Sequence, residues 1–160
     1  MFKVGDMSVH PKHGDGEVVA IEEKHLEGKA QPLYVLKLLA TGLKVLVPKE
    51  SAERVGLRPV MQEGEAQHIL DILRTPEVAV DIQPWNRRIR AYTEMLKSGL
   101  PTEIAKVLRD MYRLKGDKDL SFGERRLLDQ AKSLLVQELA LATHVEPVSI
   151  EGEIKQILSA

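Results

Sequence analysis

The spacing at which apolar residues recur changes once along this chain, near residue 62, and that switch demands two different packing solutions. Before it, residues 7–10, 16–25, 33–39 and 43–47 are rich in Val, Ile and Leu and are bounded by glycine or proline, the pattern of short strands. Gly14-Asp-Gly16 and Ala40-Thr-Gly42 are turn signals, and Gly28 is expected in a longer loop ahead of Pro32. Residues 50–55 suit a short helical turn before a last strand at 56–60. Strands this short and closely spaced predict a small SH3-like or Tudor-like barrel. Such barrels bind peptides, other sheets or nucleic acids, and rarely substrates.

After the switch the period is helical. Ala66, Ile69, Leu70 and Leu73 line a first helix, with Pro76 beyond its end. Ile89, Tyr92 and Leu96 line a second, introduced by Pro84 and ended by Gly99. Pro101 opens a third, carrying Ile104, Val107, Leu108 and Met111 and closed at Gly116. Ser121-Phe-Gly-Glu124 is a capping box ahead of the longest helix, whose inward face is Leu127, Leu128, Ala131, Leu134, Leu135 and Leu139. Ser149 is expected to cap a last short helix through Ile154, Ile157 and Leu158. The fold class is therefore α+β in two domains: a barrel over residues 1–60 and about five helices over residues 61–160.

Charge separates the same chain differently. The net charge is −1, yet residues 85–126 hold eleven Lys/Arg against six Asp/Glu, between acidic flanks. A basic middle between acidic stretches favours one directed anionic contact. On the second helix the apolar stripe leaves Arg87, Arg90, Glu94 and Lys97 opposite, at spacings of three and four that form one ridge. The single tryptophan, Trp85, stands at the start of that helix, followed by Arg87, Arg88 and Arg90. Two readings of it are open on the residues alone. It packs in a core or anchors a protein interface, or it presses on a nucleic-acid duplex whose phosphates the arginines hold.

Several chemistries find no support. There is no cysteine, which removes disulfide and thiolate chemistry and favours a reducing compartment. The N-terminus reads as neither a signal peptide nor a membrane span, so a cytoplasmic protein is expected. His10, His13, His25, His68 and His144 are scattered without metal-ligand spacing. Asp117, Asp119 and Ser121 imitate the opening of a calcium loop, but Phe122 stands where glycine is needed and Leu128 where a bidentate glutamate is needed. Lys12-His-Gly-Asp-Gly16 lacks the lysine and hydroxyl that end a phosphate loop. No nucleophile context is present. The expectation is a non-enzyme with no metal, cofactor or small-molecule ligand.

The motifs Phe2-Lys-Val-Gly-Asp6, Pro11-Lys-His-Gly14, Tyr34-Val-Leu36, Val47-Pro48, Val55-Gly-Leu-Arg58, Trp85-Asn-Arg-Arg88 and Leu114-Lys-Gly-Asp-Lys-Asp-Leu-Ser-Phe-Gly-Glu124 occur in this order. Together they resemble the CarD/CdnL family of bacterial transcription regulators, over essentially the whole chain. The resemblance implies that residues 1–60 form an RNA polymerase-interacting domain that binds the β subunit. Residues 61–160 would contact promoter DNA, at its minor groove and phosphates, on the upstream edge of the melted bubble. It implies that Trp85 is a minor-groove wedge, that Arg87, Arg88, Arg90 and Lys97 lie along the DNA, and that Phe122 belongs to an apolar patch beside the tryptophan. The polymerase contact would involve Lys24 and the edge strand Lys44, Val45, Leu46, Val47 and Pro48. In two places the chain departs from the pattern: Leu46 stands where some members carry arginine, and His10 where many carry tyrosine. A monomer that stabilises the open promoter complex, associated with the nucleoid through polymerase, is the expectation. The alternative is a protein–protein adaptor without DNA contact.

Overall fold

The computed structural model describes residues 2–75, 85–115 and 120–159, with the side chains of Leu26, Trp85, Leu114 and Lys115 left outside the description. The chain divides into two compact units, Met1–Val60 and Met61–Ala160.

In the first unit β1 (Met7–His10), β2 (Gly14–Leu26), β3 (Lys29–Leu38), β4 (Lys44–Pro48) and β5 (Arg58–Pro59) form one antiparallel sheet in the order β4-β3-β2-β1-β5. A 3-10 turn at Lys49–Ser51 and a one-turn helix, α1 (Ala52–Val55), separate the last two strands. Val18, Tyr34, Leu36, Val47, Ala52 and Leu57 make the core, with Phe2 edge-on to the Tyr34 ring at 5.6 Å. A bulge between Val18 and Ala20 sends the next side chains of β2 to the opposite face. Gly56, at φ 92°, ends α1 by donating to the Ala52 and Glu53 carbonyls, and a Cβ there would lie 2.7 Å from the Pro11 ring. No other residue type fits that position without strain.

The structure replaces the expected loop at Gly28 with a tight hairpin. Glu27 and Gly28 take φ 54° and 76°, the two positive angles of a primed turn, so Leu26 pairs directly with Lys29. Counted from that turn, Pro32 falls where β3 offers its backbone nitrogen to the β4 side. There β4 has already ended opposite Leu33, so no ladder bond is lost.

The second unit contains α2 (Glu63–Arg74), α3 (Trp85–Lys97), α4 (Pro101–Lys115), α5 (Phe122–Thr143) and α6 (Pro147–Ser159). Every stripe residue expected for α2 and α4 is buried, as are Tyr92 and Leu96 of α3 and Leu128, Ala131, Leu135 and Leu139 of α5. The Ser121 hydroxyl accepts from the Glu124 amide at 3.2 Å, which starts α5 where the capping box placed it. That helix stops at His144, a non-glycine residue in the left-handed region. Ser149 does not cap α6. The helix begins two residues earlier at Pro147, whose ring presets the first helical angle, and Ser149 lies inside its first turn. Pro76, Pro84, Gly116, Asp117 and Asp119 lie outside the described residues.

Candidate functional site

α3 is amphipathic because its apolar residues recur at three and four. Tyr92 and Leu96 are buried, Ile89 and Met95 half-buried, and Arg87, Arg90, Glu94 and Lys97 are exposed. Lys97 lies 3.6 Å from Glu94, an exposed pair that leaves both groups hydrated. Arg88 departs from the ridge. It is half-buried and close enough to Tyr92 to favour the ionised phenol. Trp85 opens the helix, but its side chain lies outside the description.

Phe122, the first residue of α5, is 81% exposed. Its neighbours Ser121, Gly123 and Glu124 form one wall of a groove of ≈ 620 Å³, and Asn86, Ile89, Arg90 and Thr93 of α3 form the other. Arg126 and Gln130 complete the α5 wall. Sequence reading missed these two; the available signal was Arg126 lying one helical turn beyond Phe122, on the same side of α5. The groove thus joins an arginine from each of two helices, and the exposed Phe122 lies in the chain between two of its lining residues.

Beneath α3 lies a buried polar cluster. Arg109 donates through Nε to Asp110 at 2.9 Å, and through Nη1 to the Ile72 carbonyl at 3.3 Å and the Thr75 hydroxyl at 2.5 Å. The Tyr92 hydroxyl reaches Asp110 at 3.5 Å, and Arg113 donates to the Leu73 carbonyl at 3.0 Å. Burial first, and then Asp110, hold the Tyr92 hydroxyl far above the ordinary phenol range, so it stays protonated. Two of the cations counted in the basic block therefore serve the interior: Arg109 is buried and Arg113 half-buried, both holding the last turn of α2. Charge counting could not separate inward from outward arginines.

In the first unit β4 is an edge strand, paired only with β3. The five β4 residues assigned to the polymerase contact split by side. Val47 is buried against Tyr34 and Val45 packs on the same core, and the backbone of both bonds to β3, so neither is open to a partner. Lys44, Leu46 and Pro48 point outward, and Leu46 is 53% exposed. Register carries Leu46 through Val35 to Ala20, and Lys24 follows on the same face of β2, exposed. Lys24 and Leu46 therefore share one sheet surface. The His10 and His13 rings lie with centroids 4.6 Å apart, tilted 48° to one another. Among the described residues, no group of three metal-ligating side chains occurs.

Comparison with known proteins bears on both units. Residues 2–61 match the family described as CarD-like/TRCF RID domain, and residues 68–155 match CarD, C-terminal domain. The chain belongs to the CarD/CdnL family. A relative is the Bacillus subtilis (strain 168) protein named "Putative transcription factor YdeB", 34% identical over 152 residues that span 95% of this chain and 99% of that one. A solved structure titled "CdnLNt from Myxoccoccus xanthus" is 39% identical, covers 38% of this chain and 86% of its own, and superposes with a TM-score of 0.33. CarD-like proteins are transcription factors without enzymatic activity, so the protein is a transcription factor of that kind and not an enzyme. Among the described residues, no helix is long and apolar enough to cross a membrane.

Proposed function

We propose that this protein grips the β subunit of RNA polymerase through the β4 edge and sets α3 against promoter DNA at the upstream edge of the bubble. There it stabilises the open complex. The observation that carries this reading is the α3–α5 groove lined by Arg90 and Arg126, with Arg87 exposed on α3 and Phe122 81% exposed at the start of α5. An exposed phenyl ring and outward guanidinium groups in one helical unit suit a duplex with an opened step, where rings meet bases and cations meet phosphates. Trp85, at the head of the same helix, is assigned the wedge, with Arg88 and Lys97 in supporting positions.

A protein touching polymerase and DNA shifts promoter opening only if it prefers one state. A ring at the bubble edge supplies that preference, because unstacking a base step costs about a few kcal/mol that the ring partly offsets. A bias of about 1.4 kcal/mol already changes the open-to-closed ratio tenfold. The arginines add sequence-tolerant, salt-sensitive affinity. Free DNA is then bound weakly, and the polymerase grip raises the local concentration. In the strand unit, Lys24, Lys44, Leu46 and Pro48 offer side chains, and the outward backbone groups of Lys44, Leu46 and Pro48 are open to an added strand, with Val45 and Val47 holding β4 in place. The protein acts as a monomer in the cytoplasm, carried to promoters by polymerase.

Two variants test the two contacts separately. Trp85→Ala should keep β-subunit binding and lose the extension of open-complex lifetime. Leu46→Glu should abolish β-subunit pull-down while the helical content stays that of the parent. A parental lifetime with Trp85→Ala, or undiminished pull-down with Leu46→Glu, overturns the corresponding contact.

A further inference from the structure

We propose that Arg109 and Asp110 are positioning residues for the outward face of α3, clamping the helix from behind through Thr75 and Tyr92. The use of α3 rests on the function proposed above; the clamp itself does not. Both residues are buried in the helical unit. An ion pair in such a place costs more than well-packed apolar residues of the same volume, so its retention calls for something apolar residues cannot do. Here that is reach. From one point on α4, the guanidinium binds the Ile72 carbonyl and the Thr75 hydroxyl, while the carboxylate meets the Tyr92 hydroxyl. Thr75 follows the last turn of α2, and Tyr92 lies two turns into α3.

The pair therefore fastens the chain on both sides of residues 76–84 to a single anchor. Arg113 repeats the α2 half of the clamp at the Leu73 carbonyl, where a helix C-terminus favours a cation. Tyr92, kept protonated by burial and by Asp110, remains a donor across the physiological range. Rotation or slippage of α3 would break its bond to Asp110 and carry Arg87 and Arg90 with it. Directed hydrogen bonds fix register where interchangeable leucines would permit drift.

The test uses full-length Thr75→Val, Thr75→Ser and Tyr92→Phe. Thr75 is exposed, so its substitutions leave the core intact. The chain has one tryptophan, at the head of α3, so acrylamide quenching of its emission reads that helix start without DNA or polymerase. Thr75→Val and Tyr92→Phe should shift the quenching constant with helical content unchanged, and Thr75→Ser, which keeps the hydroxyl, should restore the parental value. Open-complex lifetime should fall roughly threefold with Thr75→Val and recover with Thr75→Ser. Parental quenching in Thr75→Val overturns the clamp, whatever Tyr92→Phe does to the fold. Shifted quenching with an unchanged lifetime upholds the clamp and counts against α3 as the promoter-facing helix.

Discussion

His10 shows how much one side chain can carry without any catalytic role. Its Nδ1 accepts the Lys12 amide at 3.1 Å, so the lone pair that a proton would use is already engaged. Burial first, then His13 and Lys12, hold its pKa below the ordinary 6.5. A base depressed in the fold binds more protons when unfolded. Its contribution to stability is fully present above pH 6.5 and is lost as pH falls below that value through the folded pKa. Relative to the intrinsic rate, which itself slows as pH falls, exchange of β1 and β2 amides should therefore show an excess that grows from about pH 7 to about pH 5. His10→Tyr should remove that excess; an equal excess in the variant would exclude His10 as its source. None of this was legible beforehand, because His10 and His13 read as two of five scattered histidines. Their contact depends on the turn between β1 and β2.

Among the elements, α5 is the one on which most of the helical unit depends, since it packs against α2, α3, α4 and α6. Its start is set by one hydroxyl. Ser121→Ala should cost about 1 kcal/mol in urea unfolding followed by helical signal, with Ser121→Asp restoring most of it. An unchanged midpoint would mean that the cap is redundant. This start was readable from four residues, as were the buried stripes of α2 and α4, because apolar period and capping chemistry are local. What escaped were polar groups turned inward. Glu138 sits among buried leucines on α5 and accepts the Met61 amide at 2.9 Å, a partner far away in sequence. Arg109 is hidden in the same way. Polarity suggests solvent until the distant partner is known, so inward charges are the places where pattern reading fails. The Ser149 cap failed for a different reason: a proline two residues earlier presets the helix more firmly than a serine caps it.

At the scale of the whole molecule, the two cores have no residue in common. One is built on Tyr34, Leu36 and Val47, the other on Leu73, Leu108, Leu135 and Ile154. Damage to one should stay there. Gly56→Ala forces a Cβ to within 2.7 Å of Pro11 at a left-handed angle, which should destabilise the strand unit by about 1–3 kcal/mol. Calorimetry of the full chain should show one transition moved and the other in place; a shift of both would show the units unfolding as one. Two cores in sixty and one hundred residues were foreseeable from the change in apolar spacing, since neither pattern can bury its face with the other's geometry. The side chain of Trp85, on which the sequence-level choice between DNA and adaptor turned, lies outside the described residues. Phe122, 81% exposed, and Arg90 and Arg126 of the α3–α5 groove carry the DNA side of the proposal instead.

β4 leaves an open seam that ends in Pro48, which has no amide to lend, and begins with Lys44, which must stay wet. Two copies meeting seam to seam would find only the outward groups of Lys44 and Leu46 and the Pro48 carbonyl to share. Under the proposed function, the seam yields these groups to a strand that also satisfies Leu46.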